Sequence, residues 1–441
     1  MKVSISDPSD RNVDLILPSG SPTGARQRVQ GVPTDSTCGS PSPVDRPRVW
    51  IALAVLATFA VATAFVLPAM VELFTLRLGF AASAAGRIGS LYSLAGIVGG
   101  LLGLAWIRRA NRRLMLVLAL LVATSADLSA IWFHAYPAVV AGRFLTGLCG
   151  ASVMVVVNPT IAMSRHSERL FGISVAGPSV LSAVLLYLVP RAGLGVDGLF
   201  VVLGTLWIVC LPFVLLVPRG VFVVPVSSPL LRTKALASGI RKSSLVLLAF
   251  FAFNVATGAL WTFASLIGAW MGASRDAVGL ALSVSMLLSV AGGLLVTALG
   301  DRFGRTRPIA IGLGLVGAST CALLLSSGPL GFALAMGSVN LLTTALTALF
   351  LSLVGDEDRG VGQLLAIGGL AINLGYALGP LLLSPSGTRT SYSVTIVGSV
   401  VLFALALALV LVPRVHSGLP SPSGRTADAS GRKALAARSP H

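Results

Sequence analysis

The tetrapeptide Gly-Gly-Leu-Leu occurs twice in this chain, at residues 99–102 and at residues 292–295, each time inside a long apolar run. The two copies are 193 positions apart (292 − 99). At the same offset Gly86 corresponds to Gly279, and the basic loop that follows each apolar run corresponds as well. Agreement at several positions indicates duplication of one unit, because chance similarity in a Gly- and Leu-rich chain would not preserve a common offset.

The amino-acid composition is that of a membrane protein. Hydrophobic residues make up 55% of the 441 residues and charged residues only 11%, whereas soluble domains carry about 25% charged residues. This composition excludes a soluble enzyme, a disordered chain and a disulfide scaffold. The net charge of +17 lies in short loops and tails between apolar segments, so we expect no nucleic-acid partner.

The apolar segments are long enough to span a bilayer. A helix needs about 20 apolar residues to cross a hydrocarbon core of roughly 30 Å. We therefore predict an all-α integral membrane protein with twelve transmembrane helices. The candidate crossings lie near residues 49–74, 83–107, 114–134, 138–163, 171–190, 198–218, 244–271, 278–299, 308–327, 329–353, 361–383 and 392–413.

Polar segments divide the chain into five regions. We predict a disordered tail over residues 1–48, a six-helix bundle over 49–218, a linker over 219–243, a second six-helix bundle over 244–413 and a second disordered tail over 414–441. An even number of crossings places both tails on one side of the membrane. That side collects 26 of the 32 Lys and Arg residues, and the opposite side collects five. Basic loops favour the cytoplasm, so we predict a multi-pass protein of the plasma (inner) membrane with both termini cytoplasmic.

One loop carries a family resemblance. Asp301-Arg302-Phe303-Gly304-Arg305, between the eighth and ninth crossings, resembles the D-R-x-G-R signature of the major facilitator superfamily. The corresponding loop of the first half resembles it only in its basic residues, since Arg108 replaces the Asp and Asn111 the Gly. The resemblance covers about residues 49–413 and implies a secondary transporter of two pseudo-symmetric bundles that alternately exposes a central site.

The resemblance also implies a cytoplasmic gate. An Asp at this position of the family loop engages a helix N-terminus of the other half and holds that side closed. We predict that such a gate here comprises Asp301, Arg302, Gly304, Arg305, Arg108, Arg109 and Arg112.

Three ionisable residues lie inside predicted crossings: Glu72, Asp127 and Arg143. Each costs about 2.5–3.5 kcal/mol at mid-helix, so such residues are usually functional or paired. All three fall at similar depth in the outer half, where an ion-paired cluster is possible. Arg143 and Gly147 also resemble the R-x-x-x-G motif of proton-coupled superfamily members.

The family fold places crossings one and four beside the cavity. This placement favours Glu72 and Arg143 as the proton-coupling residues, with Glu72 tied to Arg143. An interfacial residue reaching water is the alternative for Glu72. We interpret Asp127 as a structural partner of Arg143 or as a backbone contact.

The second half offers only neutral polar residues between its helix ends. Several recur at helical spacing, which is typical of one wall of a substrate cavity and equally of polar packing between helices, worth about 0.6 kcal/mol per contact. The predicted cavity residues are Asn254, Thr257, Trp261, Ser265, Asn340, Asn373 and Tyr376.

Motifs for other chemistry are absent from the sequence. There is no G-x-x-x-x-G-K-[ST] loop for ATP and no Cys/His ligand cluster for a metal. We therefore expect no catalytic residues, no metal and no cofactor, with a proton gradient as the energy source. We expect a monomer whose partners are the lipid bilayer and a small-molecule substrate.

These features lead to three functional hypotheses. The first is proton-coupled export of a small organic molecule, such as a drug or secondary metabolite. The second is uptake of a small organic anion with Arg143 as the carboxylate anchor. The third is a non-transporting membrane receptor, which would be indicated by a large folded domain outside the membrane.

Overall fold

The computed structural model describes residues 43–106, 111–218, 229–299, 304, 306–357, 363–385 and 391–416. A short 3₁₀ turn, Pro43–Asp45, precedes thirteen α-helices. The helices are α1 (Pro47–Phe65), α2 (Leu67–Arg77), α3 (Ala82–Trp106), α4 (Arg112–Ser129), α5 (Tyr136–Ala162), α6 (Ser167–Arg191), α7 (Val196–Val214), α8 (Pro229–Trp270), α9 (Arg275–Leu299), α10 (Thr306–Leu325), α11 (Gly328–Glu357), α12 (Gln363–Leu382) and α13 (Ser391–His416). These ranges contain no β-strand, so the predicted all-α class is confirmed.

Eleven of the helices in the described residues are long and apolar enough to cross a membrane. α4 is not among them, because its 18 residues include Arg112, Arg113 and Asp127. α2, with 11 residues, continues α1 after a break. The eleven helices and α4 occupy the twelve predicted positions and form two pseudo-symmetric bundles, α1–α7 and α8–α13.

The first crossing is broken near its middle. Pro68 lies in the first turn of α2, and a proline has no N–H to donate to the carbonyl four residues earlier. The carbonyl of Ala64 therefore lacks its helical donor at the point where α1 ends. The sequence predicted an uninterrupted crossing over residues 49–74, and Pro68 is the physical reason for the difference.

The duplication is visible in the packing. A Cβ at Gly99 on α3 would overlap the carbonyl oxygen of Leu148 on α5, and a Cβ at Gly292 on α9 would overlap that of Leu341 on α11. Both members of each contact are 193 residues from their counterparts (292 − 99 and 341 − 148). The same close helix crossing is therefore built in each half from the repeated glycine.

We call the end of the bundle that holds the α2–α3, α4–α5 and α8–α9 connections the outer end, following the predicted orientation. One apolar core joins the two halves and includes Phe74 of α2, Phe263 of α8 and Leu282 of α9. Leu53 and Leu56 of α1 belong to a separate core within the first half, toward the inner end. Apolar packing between the halves is therefore concentrated at the outer end.

Two predicted boundaries need correction. α8 begins at Pro229, 15 residues before the predicted start at 244 (244 − 229), so much of the predicted linker is helical. The predicted tail also ends too late. Val44 is buried in the core of the first half, and Asp45 Oδ1 accepts hydrogen bonds from Ser164 Oγ (2.8 Å) and the backbone N–H of Arg165 (3.0 Å). These contacts order the chain before α1.

Candidate functional site

A buried ion pair lies inside the first half. Arg143 on α5 pairs through Nη2 with Oδ1 of Asp127 on α4. The side chains are 2% and 0% exposed, respectively. Thr146, one turn after Arg143, donates to Asp127 Oδ1 (3.1 Å) and accepts from Arg143 Nη2 (3.1 Å). The pair therefore ties α4 to α5 out of contact with solvent.

Aromatic residues of α7 complete this cluster. Trp207 donates from Nε1 to Asp127 Oδ2 (3.0 Å), so both carboxylate oxygens are hydrogen-bonded. The guanidinium of Arg143 lies 4.9 Å from the ring centroid of Phe200, within cation–π range. Arg143 Nη1 is buried and makes no hydrogen bond within the part of the chain that the structure describes. Three helices are thus fixed to one another by a single charged centre.

A second ion pair connects the two halves. Glu72 on α2 accepts through Oε1 from Arg275 Nε at the start of α9, with a distance of 2.7 Å. The Glu72 side chain is 8% exposed and that of Arg275 is 43% exposed. This pair is half open to its surroundings and lies at the outer end.

Other side chains close the outer end around this pair. The indole Nε1 of Trp261 on α8 donates to the Ala64 carbonyl oxygen (3.4 Å), the carbonyl that Pro68 deprives of its helical donor. Phe263, also on α8, packs on Gly86 of α3, where a Cβ would collide with the ring. The outer ends of the two halves are therefore in direct contact.

Part of this chain is similar to a known protein family. The family model described as Major Facilitator Superfamily matches residues 245–440. The second half of this chain is therefore similar to the major facilitator superfamily.

Solved structures cover the chain more widely than the family model does. The nucleoside transporter NupG superimposes with a TM-score of 0.68 at 13% identity, covering 82% of this chain and 99% of its own. A D-xylose-proton symporter superimposes with a TM-score of 0.62 at 17% identity, covering 81% of this chain and 96% of its own. No curated protein sequence matches the chain. At such identities the structural likeness shows the fold, and the two neighbours share the bundle pair described above.

The fold does not bring the three embedded charges into one cluster. The predicted pairing of Glu72 with Arg143 is wrong, because Glu72 is paired with Arg275. Helix packing is the reason for the difference. α2 packs against α8 of the other half, whereas α5 packs against α4. Asp127 takes the place beside Arg143, in agreement with its interpretation as a structural partner.

The predicted cavity residues divide into two groups. Asn254 and Thr257 are buried and bond to carbonyls of their own helix, at Phe250 (2.8 Å) and Phe253 (2.9 Å). Asn340 donates to Ser285 Oγ of α9 (2.8 Å), and Ser265 is 2% exposed. Asn340 therefore makes a polar contact between helices, whereas the hydrogen bonds of Asn254 and Thr257 stay within α8.

The remaining three predicted cavity residues lie nearer the contact between the halves. Trp261 reaches Ala64 of the first half as described. Asn373 is exposed on α12 although it lies well inside a crossing. Tyr376, also on α12, is half-buried. A role in solute binding remains a prediction for these residues.

Most of the predicted cytoplasmic gate lies outside the described residues. Asp301, Arg302, Arg305, Arg108 and Arg109 fall there. Gly304 is described, with φ of 64°, a left-handed conformation that favours glycine.

Arg112 is the other described member of the predicted gate, and it is 6% exposed in the first turn of α4. Its neighbour Arg113 donates from Nε to the Val217 carbonyl (2.8 Å), which ties α4 to the end of α7. The first turn of α4 is therefore packed within its own half.

Sequence reasoning missed three residues of these sites. Arg275 was counted only as one of five basic residues on the Arg-poor side, although an arginine there is the natural partner for a nearby embedded acid. Trp207 and Thr146 are uncharged, so the presence of ionisable residues inside crossings did not indicate them. The position of Thr146 three residues after Arg143, on the same helix face, could have indicated it.

Proposed function

We propose that this chain is a member of the major facilitator superfamily and a proton-coupled secondary transporter of a small uncharged organic molecule. It works by alternating access, with Glu72 as the proton-binding residue. The observation that carries this proposal is the Glu72–Arg275 ion pair, which joins the two halves at their closed outer end. A transporter of this fold rocks one half against the other, so the outer contacts must break in each cycle.

Protonation of Glu72 would weaken this contact. A neutral carboxyl loses its Coulomb attraction to the Arg275 guanidinium, although it can still share a hydrogen bond. Since Arg275 is 43% exposed, solvent screening limits the loss to about 1 kcal/mol. That energy corresponds to a roughly fivefold shift in the equilibrium between outer-closed and outer-open states. The proton thereby changes the probability that the outer end opens.

The Asp127–Arg143 pair serves the architecture in this proposal. Both side chains are enclosed, and Arg143 already has a carboxylate partner. A solute carboxylate would have to displace Asp127 and would leave a buried charge unpaired, which costs about 3–5 kcal/mol. The geometry therefore disfavours the alternative in which Arg143 anchors an organic anion.

The lining available to a solute supports an uncharged molecule. Between the ends of α8–α13 the described residues include no charged side chain, and the amide of Asn373 is exposed there. The indole of Trp261 is buried at the contact between the halves. Amide and aromatic groups bind neutral polar or aromatic molecules through hydrogen bonds and stacking.

Two transport directions use the same proton site. Export against proton entry is the direction expected from the sequence, with a drug or secondary metabolite as substrate. Uptake together with a proton is the second candidate, because a D-xylose-proton symporter shares the fold.

Transport by purified protein in liposomes tests the proposal. A panel of radiolabelled uncharged compounds, including a pentose, a nucleoside and a hydrophobic drug, is presented with a pH gradient imposed in either direction. We expect at least one compound to move faster with a gradient than without it, and the favourable gradient direction distinguishes symport from antiport.

Two variants test the role of Glu72. We expect Glu72→Gln to retain exchange of that compound at equal pH and to lose acceleration by the gradient. Asp276→Asn, which alters an exposed acid next to Arg275, is the matched control and should behave like the wild type. Full gradient-dependent transport by Glu72→Gln would refute the proton role.

A further inference from the structure

A groove lies between the two halves, along the contact of α3 with α12. It has a volume of about 210 Å³ and is partly open to the surroundings. Leu91 and Leu94 line it from α3, and Leu374, Leu378 and Leu381 line it from α12. Their spacing of three, four and seven residues places each set on one helix face, so the groove is a continuous apolar channel.

Exposure of its leucines shows that this groove opens at the surface of the bundle. On α3, Gly86 and Gly89 face Phe263 of α8 and Leu67 of α2. Three of the groove leucines are instead exposed: Leu94 by 41%, Leu374 by 37% and Leu381 by 47%. The groove is therefore open to the lipid that surrounds a membrane-spanning bundle.

A positive charge stands at the outer end of the groove. Arg87 lines it together with Tyr136 at the start of α5. Arg87 is exposed, and no acidic side chain pairs with it among the residues that the structure describes. It lies five residues after the start of α3 (87 − 82), about 7.5 Å along the helix axis. This depth suits a long side chain that reaches the phosphate level of a bilayer.

The groove continues inward from this charge. Leu94 lies seven residues after Arg87, about 10 Å deeper along α3. Small buried residues, Ser90 and Ala377, form its floor. An acyl chain that descends from a phosphate at Arg87 would follow this path within an outer leaflet about 15 Å thick.

We propose that this groove is a binding site for an anionic glycerophospholipid, whose phosphate pairs with Arg87 and whose acyl chain fills the channel between α3 and α12. The unpaired guanidinium supplies the charge complementarity, and the leucine faces supply the apolar surface. Because α3 belongs to one half and α12 to the other, a bound lipid bridges the two halves in the outer-closed state.

Native mass spectrometry of the purified full chain tests this site. Protein in detergent is titrated with phosphatidylglycerol and, separately, with phosphatidylcholine of the same chain length. We expect tighter retention of phosphatidylglycerol by the wild type, and about fivefold weaker retention by Arg87→Gln, since one basic residue near a lipid surface contributes about that factor. Unchanged retention by Arg87→Gln would overturn the proposal.

A matched control removes a different outer arginine. Arg191 is exposed and stacks on its own neighbour Tyr187, with 4.0 Å from its guanidinium carbon to the ring centroid. Arg191→Gln should retain phosphatidylglycerol like the wild type. An equal loss in this variant would show a general surface-charge effect and would contradict a defined site.

Two further experiments test whether the acyl chain of the lipid binds in the groove. Glycerol phosphate, which has the charged group without the chains, should fail to displace phosphatidylglycerol at equal concentration. Displacement by it would show a simple anion site. Ala377→Leu, which fills the floor of the channel, should weaken retention of both lipids, and unchanged retention would place the chain elsewhere. If this buried variant does not fold, the exposed Arg87 variant still decides the question.

Discussion

Replacing Asp127 by Asn tests whether the buried ion pair stabilises the first half as its geometry indicates. Asp127 accepts from Arg143 and Thr146 on one oxygen and from Trp207 on the other. An Asn must turn an amide N–H₂ toward one of these donors, and it leaves the charge of Arg143 uncompensated where that side chain is 2% exposed. Removing one partner of a buried pair costs about 3–5 kcal/mol.

The expected loss is large enough to measure by thermal unfolding. For a unit of about 150–250 residues, 1 kcal/mol shifts Tm by about 2–4 °C, so Asp127→Asn should lower Tm by roughly 6–20 °C. A thiol-reactive fluorophore provides the readout in detergent, because Cys149 and Cys210 are buried on α5 and α7 and become reactive as these helices separate. Asp197→Asn, which removes an acid that is 56% exposed, is the control and should shift Tm little.

A double variant separates loss of the pair from loss of either residue. Asp127→Asn combined with Arg143→Met removes both charges and keeps an acceptor for Trp207. Because replacing a whole buried pair is often nearly neutral, the double variant should be more stable than either single variant. Additive losses, or an Asp127→Asn shift no larger than that of Asp197→Asn, would refute the reasoning.

Two further predictions concern packing in the same half. Gly99→Ala should destabilise the protein by about 1–3 kcal/mol, because its Cβ would overlap the Leu148 carbonyl and overpacking costs that much. Gly100→Ala, which meets nothing within 4 Å, should leave Tm unchanged or slightly raised. Trp207→Phe should cost about 1–3 kcal/mol, because it leaves one oxygen of Asp127 without its donor. The same thiol-reactivity melting curves measure each variant, and equal melting of the two glycine variants would contradict the packing argument.

The fold could be predicted because the sequence features that indicate it are long and occur in both halves. Apolar runs identify crossings without tertiary information, and the repeated glycines at residues 99 and 292 mark the same helix crossing in both halves. The break at Pro68 was predictable from the proline alone. It was missed because the apolar run continues through it.

The pairing of charges could be predicted only in part. Depth along a helix follows from residue counting, and counting placed Glu72, Asp127 and Arg143 at similar height. Height does not reveal which helices are neighbours. Arg143 meets Asp127 because α5 packs on α4, and Glu72 meets Arg275 because α2 packs across to the second half.

The polar residues of α8 show a second limit. Their spacing predicts a common face correctly. The same spacing occurs, however, both on helix faces that are open to solvent and on faces that pack against neighbouring helices. Asn254 turns to its own backbone and packs against Gly375 of α12, which no sequence pattern on α8 alone could indicate.

The enclosed pair of Asp127 and Arg143 has an electrical consequence. A transmembrane voltage acts on net charge, at about 2.3 kcal/mol per elementary charge per 100 mV. Opposite charges held together on adjacent helices are displaced as a neutral unit, so the field performs almost no work when their half rocks. The Glu72–Arg275 pair is neutral as well, and a proton on Glu72 leaves the positive charge of Arg275 uncompensated. Under the proposed mechanism, current recorded during turnover should therefore follow the occupancy of that one carboxyl.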